Sequence, residues 1–344
     1  MPENPLATDL DHVLEHTREL WEELRGERIF ITGGTGFFGC WLLESFAWAN
    51  DRLELGAKTV VLTRSPQAFK AKSPNLAEHR AFTLLKGDVR TFEFPAGTFS
   101  HIIHAATEKN PQAGLVDPLE MFNANISGTQ RVLELADRCG AHKLLFTSSG
   151  AVYGKQPPEL THIPEDYNGA PETTDITTAY GQGKRASEFL CTATGSASLQ
   201  AKIARCFAFV GPQLPLNANY AIGNFIRDAL QGKSIHVNGD GTPYRSYLYS
   251  ADLAIWLWTI LFNGKHARPY NVGSDADLTI AQLAAEVIKI IAPQLIIEIA
   301  KHPLPGQLEQ RYVPSIQRAK EELGLSVQVN LSDAIRRTVN FHSR

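Results

Sequence analysis

A tyrosine and a lysine four residues apart, Tyr180 and Lys184, are the residues of this sequence best suited to proton transfer. They lie in a stretch with helical spacing, TAYGQGKRASEFL at 178–190, so both side chains project from one helix face. A positive charge beside a phenol lowers the pKa of the phenol, and the tyrosinate can take a proton near neutral pH. Ser149 ends a strand-like segment, KLLFTSS, where its hydroxyl can hydrogen-bond the same substrate oxygen. The three residues together predict acid–base chemistry on a hydroxyl or carbonyl group.

A glycine-rich turn lies far upstream of these residues and predicts a binding site for a dinucleotide. The segment RIFITGGTGFFG covers 28–39 and is followed by CWLLESFAWAN with helical spacing. A strand, a tight turn and a helix in that order bring backbone N–H groups and a helix N-terminus to one point, which favours a pyrophosphate. The spacing of Gly33, Gly36 and Gly39 resembles the form found in short-chain dehydrogenases/reductases.

Two residues that follow later strands bear on the adenosine half of such a cofactor. Arg64 comes after the apolar segment TVVLT at 59–63, where enzymes that prefer NAD usually carry Asp or Glu. An arginine there suits a 2′-phosphate, so we favour NADP over NAD, although Arg64 can equally stack on adenine or point to solvent. Asp88 ends LLKGDV at 84–89 and is expected to accept a hydrogen bond from the adenine amine.

Strand-like and helical segments alternate through the first two thirds of the chain. This order predicts an α/β fold, a Rossmann doubly wound parallel sheet with ligands at the carboxyl ends of its strands. We expect an N-terminal helical extension over 1–27, a dinucleotide-binding domain over 28–205 and a smaller, irregular substrate-binding lobe over 206–344, partly interleaved with it. The expected strands are 29–32, 59–63, 84–89, 101–106, 143–149 and 202–208, and the expected helices include 8–25, 121–139, 221–230, 251–262, 278–291 and two between 316 and 341.

Composition excludes several classes of partner. The formal net charge of −3 over 344 residues provides no basic surface for nucleic acid or an anionic membrane. No apolar run is long enough to cross a bilayer, and the N-terminus is polar rather than signal-like. The four cysteines form no C-x-x-C pair, which favours reduced thiols in a cytoplasmic protein. No His/Cys/Asp cluster has zinc spacing, so no metal is expected; His101 and His104 are expected as buried histidines of a core strand.

Motifs along nearly the whole chain after residue 27 resemble the NAD-dependent epimerase/dehydratase family of extended short-chain dehydrogenases/reductases, which act on nucleotide-diphosphate sugars. The motifs are TGGTGFFG at 32–39, GDVR at 87–90, HAAT at 104–107, TSSGAVYG at 147–154, YGQGK at 180–184, RSYLYSADLA at 245–254, NVGS at 271–274 and PGQLEQRY at 305–312.

The resemblance implies roles for particular residues of this sequence. Ser149, Tyr180 and Lys184 match the catalytic positions, and Lys184 also holds the nicotinamide ribose. The implied cofactor-binding residues are Gly33, Thr35, Gly36, Phe37, Phe38, Gly39, Arg64, Asp88, Val89, Ala105, Ala106, Thr107, Asn125, Thr147, Tyr180 and Lys184. The implied substrate-binding residues are Ser149, Gly150, Ala151, Asn224, Arg245 and Arg311. Guanidinium groups suit a sugar diphosphate, and helices near 115–138 and 180–195 resemble those that pair in a homodimer.

Departures from the family pattern narrow the expected reaction. Gly150 and Ala151 occupy the positions where 4,6-dehydratases carry Asp and Glu, and Ala151 also replaces the Glu of uronate decarboxylases and the Cys of 3,5-epimerising members. Neither residue has a proton to give, which disfavours dehydration, decarboxylation and C3/C5 epimerisation. Ala208 stands where R-x-x-N-V-Y-G-P members carry Asn, so the sugar is expected to sit differently, with Asn224 as a replacement contact.

What remains is oxidation or reduction at C4 of the hexose, dependent on NAD(P). Two reactions stay open, because both use the same residues. We place a nucleotide-diphosphate-sugar C4 epimerase first and an NADPH-dependent 4-ketoreductase of a nucleotide-linked 4-keto-6-deoxy sugar second. A non-catalytic NAD(P)-binding regulator would lack the tyrosine or the lysine, and this chain has both.

Overall fold

The computed structural model describes residues 4–107, 117–194, 199–218, 220–304, 306 and 308–343. Its strands, numbered along the chain, are β1 (Arg28–Thr32), β2 (Lys58–Thr63), β3 (Phe82–Lys86), β4 (His101–His104), β5 (Lys143–Ser149), β6 (Gln200–Cys206), β7 (Phe209–Val210), β8 (Ile235–Val237), β9 (Tyr244–Ser246), β10 (Leu248–Tyr249), β11 (Pro269–Val272), β12 (Asp277–Thr279), β13 (Ile297–Ile299) and β14 (Arg311–Tyr312).

Helices cover the sheet and build much of the second lobe. The α-helices are α1 (Ala7–Thr17), α2 (Phe37–Arg52), α3 (Pro66–Lys72), α4 (Pro74–Ala77), α5 (Pro118–Cys139), α6 (Ala179–Ala193), α7 (Ala221–Leu230), α8 (Ser250–Asn263), α9 (Ile280–Ile291), α10 (Gln317–Leu323) and α11 (Leu331–His342). The 3₁₀ helices are Arg18–Leu24, Gly150–Tyr153 and Ile176–Thr178. No helix among the described residues has the length and apolarity that crossing a bilayer requires.

The central sheet has seven parallel strands in the order β11-β6-β5-β4-β1-β2-β3. The expected doubly wound Rossmann fold is therefore confirmed. The strand order reverses between β1 and β4, and ligands in such sheets bind outside the carboxyl ends of the strands at that point. The glycine turn follows β1 there, so the predicted dinucleotide site lies where the topology favours it.

In the central sheet, three strands differ by two residues or more from their expected bounds and one further strand is present. β3 ends at Lys86 rather than at 89, β4 ends at His104 rather than at 106, and β6 covers 200–206 rather than 202–208. In each case the residues that follow the strand form a loop that lines the carboxyl edge of the sheet. The seventh strand, β11, was not expected because PYNV is short and has no alternating pattern.

The N-terminal extension is not one helix over 8–25 as expected. α1 ends at Thr17 and a 3₁₀ helix follows. The Thr17 hydroxyl donates to the Val13 carbonyl at 2.6 Å and accepts from Trp21 Nε1 at 2.9 Å. The side chain thus competes with the backbone N–H groups for a carbonyl of the last helical turn, which favours an end of α1 at this point. The buried Trp21 ring then lies 4.7 Å from that of Trp258 on α8. Trp256 and Trp258 are core residues, as predicted.

The second lobe is built from short sheets and helices beyond the main sheet. The strand orders are β12-β9-β14, β13-β8 and β10-β7. α7 matches its expected range, and the two helices expected between 316 and 341 are α10 and α11. α9 begins at Ile280, two residues later than expected, because Thr279 and Gln282 form a capping box at its N-terminus. These pieces bring Arg245 and Tyr312 towards the carboxyl edge of the main sheet.

Candidate active site

A cavity of about 1060 Å³ lies along the carboxyl ends of the central strands. Its lining includes the glycine turn before α2, the residues after β2, β3, β4 and β5, the start of α6, and parts of β9 and β14. Seven of the eight quoted motifs contribute residues to this one space, from Gly33 to Tyr312, and only NVGS at 271–274 does not.

The glycine turn forms a cradle that a side chain would fill. Gly33 has a φ of +72°, and a Cβ on it would lie 2.5 Å from backbone atoms of Ala105 and Ala106. A Cβ on Gly39 would lie 2.3 Å from the Gly33 carbonyl oxygen and the Gly34 backbone. The backbone therefore approaches the cavity and α2 packs close to β1, as a bound pyrophosphate requires.

An unsatisfied polar atom also fits a cofactor. The Thr107 hydroxyl belongs to the cavity lining, is buried, and has no hydrogen-bond partner among the described residues. Because an unpaired buried hydroxyl is costly, this atom is suited to a ligand that fills the cavity. A nicotinamide dinucleotide fits the glycine cradle, Thr107 and Lys184 together.

The three predicted catalytic residues line the same cavity. Lys184 is 1% exposed, and its Nζ donates to the Thr147 carbonyl at 2.8 Å. Nζ lies 5.9 Å from the centroid of the Tyr180 ring. β5 ends at Ser149, whose hydroxyl accepts from the Ala151 N–H at 3.2 Å. A buried cation next to a phenol, with a hydroxyl nearby, is an arrangement for moving a proton to or from a substrate oxygen.

A buried ion pair between Glu188 and Arg205 supports the end of β5 next to Ser149. Glu188 follows Lys184 by one helical turn, and its carboxylate accepts from Arg205 at 2.7 Å and from the Ser148 hydroxyl at 2.5 Å. Burial lowers the pKa of the Arg205 guanidinium, but the hydrogen bonds and charge of Glu188 outweigh this and raise its pKa overall. The ion pair thus ties α6, β5 and β6 together behind the catalytic residues.

The end of the cavity beside β2 and β3, where the sequence predicts the adenosine half of the cofactor and which we call the adenosine end, is rich in positive charge. Arg64, Lys72 and Arg90 all line it, together with the Ser65 hydroxyl. Asp88 also lines it, but both carboxylate oxygens accept from the Arg90 guanidinium, at 2.8 and 3.0 Å. These hydrogen bonds lower the pKa of the Asp88 carboxyl. The acid expected to meet the adenine amine is therefore already paired with a cation.

Most predicted site residues line the cavity. Those that do are Gly33, Thr35, Gly36, Phe37, Phe38, Arg64, Asp88, Val89, Ala105, Ala106, Thr107, Thr147, Ser149, Ala151, Tyr180, Lys184 and Arg245. Gly39 lies behind the glycine turn, and Gly150 lies behind Phe207 and Tyr312.

Three other predicted contacts do not belong to the lining. Asn125 is buried behind α6: its Nδ2 donates to the Met121 carbonyl. Asn224 accepts from Arg227 on its own helix at 3.0 Å. Arg311 pairs with Asp277 and Glu309, each at 2.7 Å. Its charge is balanced by two carboxylates rather than directed into the cavity.

Sequence reasoning missed Lys72, Phe207, Tyr247 and Tyr312 as lining residues. Lys72 lies at the end of α3, whose approach to the cavity no motif indicates. Tyr312 directly follows Arg311 in the quoted motif PGQLEQRY, so the signal was present and was assigned to the neighbouring residue.

Two groups of ligand-type side chains lie elsewhere in the described part of the chain. One is His12, Glu15 and His16; the other is Glu23, His101 and His142. None of these residues lines the cavity. In the second group, the Lys143 ammonium lies 2.7 Å from the Glu23 carboxylate. The carboxylate is thus already paired with a cation of the protein.

Comparisons with known proteins agree with this architecture. The family model described as "NAD dependent epimerase/dehydratase family" matches residues 29–273. UDP-glucuronic acid decarboxylase 5 of Arabidopsis thaliana is 31% identical over 312 residues, covering 90% of this chain and 87% of the relative. UDP-glucuronic acid decarboxylase 1 of Danio rerio is 30% identical over 320 residues, covering 92% and 73%.

Solved structures with low identity share the fold. UDP-glucose 4-epimerase of Thermotoga maritima with UDP-glucose has a TM-score of 0.75 at 21% identity, covering 92% of this chain and 98% of that one. dTDP-glucose 4,6-dehydratase of Bacillus anthracis in complex with NAD has a TM-score of 0.73 at 19% identity, covering 92% and 96%. With the glycine cradle, the buried Lys184 and the match to the family model, these findings show that the chain belongs to the NAD-dependent epimerase/dehydratase family of extended short-chain dehydrogenases/reductases.

Proposed function

We propose that this protein binds a nicotinamide dinucleotide and a nucleotide-diphosphate sugar in the cavity and catalyses oxidation or reduction at C4 of the hexose. The observation that carries the proposal is that Tyr180, Lys184 and Ser149 line one cavity with the glycine cradle. A nicotinamide cofactor bound in the cavity would provide the hydride donor or acceptor for this chemistry. Tyr180 moves the proton of the C4 oxygen, Lys184 favours the tyrosinate through its charge, and Ser149 hydrogen-bonds that oxygen.

The two residues after Ser149 favour hydride transfer without dehydration or decarboxylation. Dehydration and decarboxylation in this family depend on acidic side chains at the positions of Gly150 and Ala151, and neither residue can move a proton. Gly150 is also enclosed, because a Cβ on it would lie 2.7 Å from the Phe207 ring. The relatives that we compared are named UDP-glucuronic acid decarboxylases, so UDP-linked sugars are reasonable first probes, but we expect this chain to leave the carboxyl group of UDP-glucuronate in place.

Two reactions at C4 use this machinery, and they differ in what happens to the cofactor. An epimerase returns the hydride to the opposite face of the same sugar and keeps its cofactor, whereas a reductase consumes NADPH. Arg64 and Lys72 both line the adenosine end of the cavity and Asp88 is paired with Arg90. This charge favours a 2′-phosphate. We therefore place the NADPH-dependent 4-ketoreductase ahead of the C4 epimerase, which reverses the order drawn from the sequence.

One part of the cavity wall favours a sugar with an apolar substituent. Ala151, Phe207 and Ala208 form this part, and none of them offers a side-chain hydrogen bond. The hydroxyl groups of Ser149 and Tyr312, 3.5 Å apart, lie on the same lining and serve the reacting oxygen instead. A 4-keto-6-deoxy hexose, with a methyl group at C6, leaves fewer polar groups unpaired there than a hexose or a uronate. This is the specific observation that supports the reductase substrate. Arg245 also lines the cavity and suits the diphosphate.

The test follows NADPH and NADH in parallel. We expect the full-length protein to oxidise NADPH in a one-to-one ratio with added UDP- or dTDP-4-keto-6-deoxyglucose, and to release no CO2 from UDP-glucuronate. Tyr180→Phe should lower kcat by about a thousandfold, because it removes the group that transfers the proton, and should leave the Kd of NADPH nearly unchanged.

The control is Tyr167→Phe, a phenol outside the cavity lining, which should retain wild-type turnover. Tightly held NAD with interconversion of C4 epimers and no net consumption would instead establish the epimerase. Turnover that survives Tyr180→Phe would contradict the proposed chemistry.

A further inference from the structure

The space beside Gly150 is filled by two aromatic side chains that come from elsewhere in the chain. A Cβ on Gly150 would lie 2.7 Å from ring atoms of Phe207 and 2.8 Å from the Tyr312 hydroxyl. A side chain at this position and the Tyr312 hydroxyl therefore exclude one another. The volume next to Ser149 that an acidic side chain would need is occupied by a phenol.

Tyr312 is held in this place by its backbone and by its ring. β14 pairs with β9, so Tyr312 lies in register with Arg245. The next residue, Val313, donates its N–H to Gln156 Oε1 at 2.9 Å. The ring lies 4.7 Å from that of Phe207, centroid to centroid. Because the backbone and the ring are both held in place, a ligand can accept a hydrogen bond from this hydroxyl at little entropic cost.

The Tyr312 hydroxyl lies 3.5 Å from the Ser149 hydroxyl, and both residues line the cavity with Tyr180. This separation is long for a hydrogen bond between two hydroxyls. It leaves both hydroxyls within reach of a single oxygen placed between them. That oxygen would also be the one whose proton Tyr180 moves, since Ser149 and Tyr180 serve the same substrate atom under the proposed function.

We propose that Tyr312 is a further substrate-binding residue and donates a hydrogen bond to the C4 oxygen of the hexose alongside Ser149. The inference rests on the proposed function. Tyr180 transfers the proton, while Tyr312 and Ser149 keep theirs throughout. Both donors stabilise the negative charge that develops on the oxygen during reduction, and the effect is larger in the transition state than in the bound ground state.

The first experiment compares the full-length wild type with Tyr312→Phe, using UDP- or dTDP-4-keto-6-deoxyglucose and NADPH. Loss of one donor to a developing oxyanion should lower kcat by about 30-fold to 100-fold and change KM by less than about threefold. The matched control is Tyr244→Phe on the neighbouring β9, whose ring contacts Arg311 and is outside the cavity lining. Ser149→Ala combined with Tyr312→Phe should lose less than the product of the two single losses, because both donors serve one oxygen.

A binding experiment separates this contact from the proposed function, since it needs no turnover. UDP-glucose should bind to Tyr312→Phe about threefold more weakly than to the wild type. UDP-4-deoxyglucose, which lacks the C4 oxygen, should bind equally to both. Equal losses for the two ligands, or a kcat unchanged by Tyr312→Phe, would overturn the role of Tyr312. If the wild type binds UDP-glucose with this discrimination but performs no redox reaction at C4, the proposed function fails and the contact stands.

Discussion

His104, at the end of β4, shows how a single buried residue links the end of β1, directly before the glycine turn, to α5. Its Nδ1 lies 2.8 Å from the hydroxyl of Thr32, and its Nε2 lies 3.1 Å from the hydroxyl of Thr129. Thr32 in turn accepts from the Ala106 N–H. The neutral imidazole therefore orients the loop that contacts the glycine cradle, as expected for a satisfied core histidine rather than a metal ligand.

The buried histidines predict a loss of stability in acid. Burial, and the charge of Lys184, lower the pKa of His104 to about 3, and burial lowers that of His101 to about 4. Both values lie below that of an unfolded histidine, so the unfolded state takes up protons first. The stabilisation is complete above about pH 6.5 and decreases as the pH falls towards these values. We expect the free energy of unfolding to decrease by roughly 2 kcal/mol for each histidine between pH 7.5 and pH 5.

Denaturant unfolding at several pH values measures this effect. His104→Gln should flatten the pH dependence, whereas His142→Gln, at a half-exposed position, should preserve it. A free energy of unfolding that is constant from pH 7.5 to pH 5 in the wild type would contradict the interpretation.

At the scale of elements, α6 carries both residues of the proposed catalytic pair and the carboxylate that supports them. Tyr180, Lys184 and Glu188 recur every four residues, so one helix face presents a proton-transfer group, a cation and a structural carboxylate. Glu188 fixes this face against β5 and β6 through Ser148 and Arg205. The helix therefore cannot rotate without breaking a buried ion pair.

Removing one partner of that ion pair should destabilise the fold. Glu188→Gln removes the carboxylate that is hydrogen-bonded to the buried Arg205, and we expect the free energy of unfolding to fall by about 3 kcal/mol. Glu134→Gln is the control, because Glu134 pairs with Arg138 on the surface of α5 and such exposed pairs contribute roughly 0–1 kcal/mol. Urea denaturation at pH 7.5 distinguishes them, and similar values for both variants would refute the structural role of Glu188.

At the scale of the whole molecule, the outer surface of α5 and α6 leaves large apolar side chains exposed. Leu119 is 69% exposed and Phe189 is 71% exposed. α5 and α6 correspond to the helices near 115–138 and 180–195 that resemble a dimer interface, apart from residues 115, 116 and 195, which lie outside the described residues. We propose that these helices pair with those of a second copy, because exposed apolar side chains of this size favour burial in an interface.

A charge on that surface should prevent pairing. We expect the wild type to be a dimer by light scattering coupled to size exclusion, and Phe189→Glu to be a monomer at the same concentration, because the interface would bury an unpaired carboxylate. Ile299→Glu is the control: Ile299 is 45% exposed on β13 and is not on either helix. A monomeric wild type would exclude the dimer. A dimer that tolerates Phe189→Glu would place the interface on another surface.

The sequence by itself predicted six of the seven strands of the central sheet, the glycine turn and the Tyr180–Lys184 pair. The reason is that these signals are local: a run of β-branched residues, three glycines at fixed spacing and a four-residue helical interval act over a single element. The N-terminal extension was misjudged at Thr17 because a tertiary contact, the packing of Trp21 against Trp258, decides where the helix ends.

Only the tertiary structure decided which of two neighbouring residues faces the cavity and which charges collect around it. Arg311 and Tyr312 alternate along β14, and the register of that strand with β9 sends Tyr312 to the cavity lining while Arg311 pairs with Asp277 and Glu309. Lys72 reaches the adenosine end through the path of α3, which no motif records. Strand register and helix placement depend on contacts between residues far apart in the chain, so a local pattern can identify the chemistry of the site but cannot assign every side chain that surrounds the substrate.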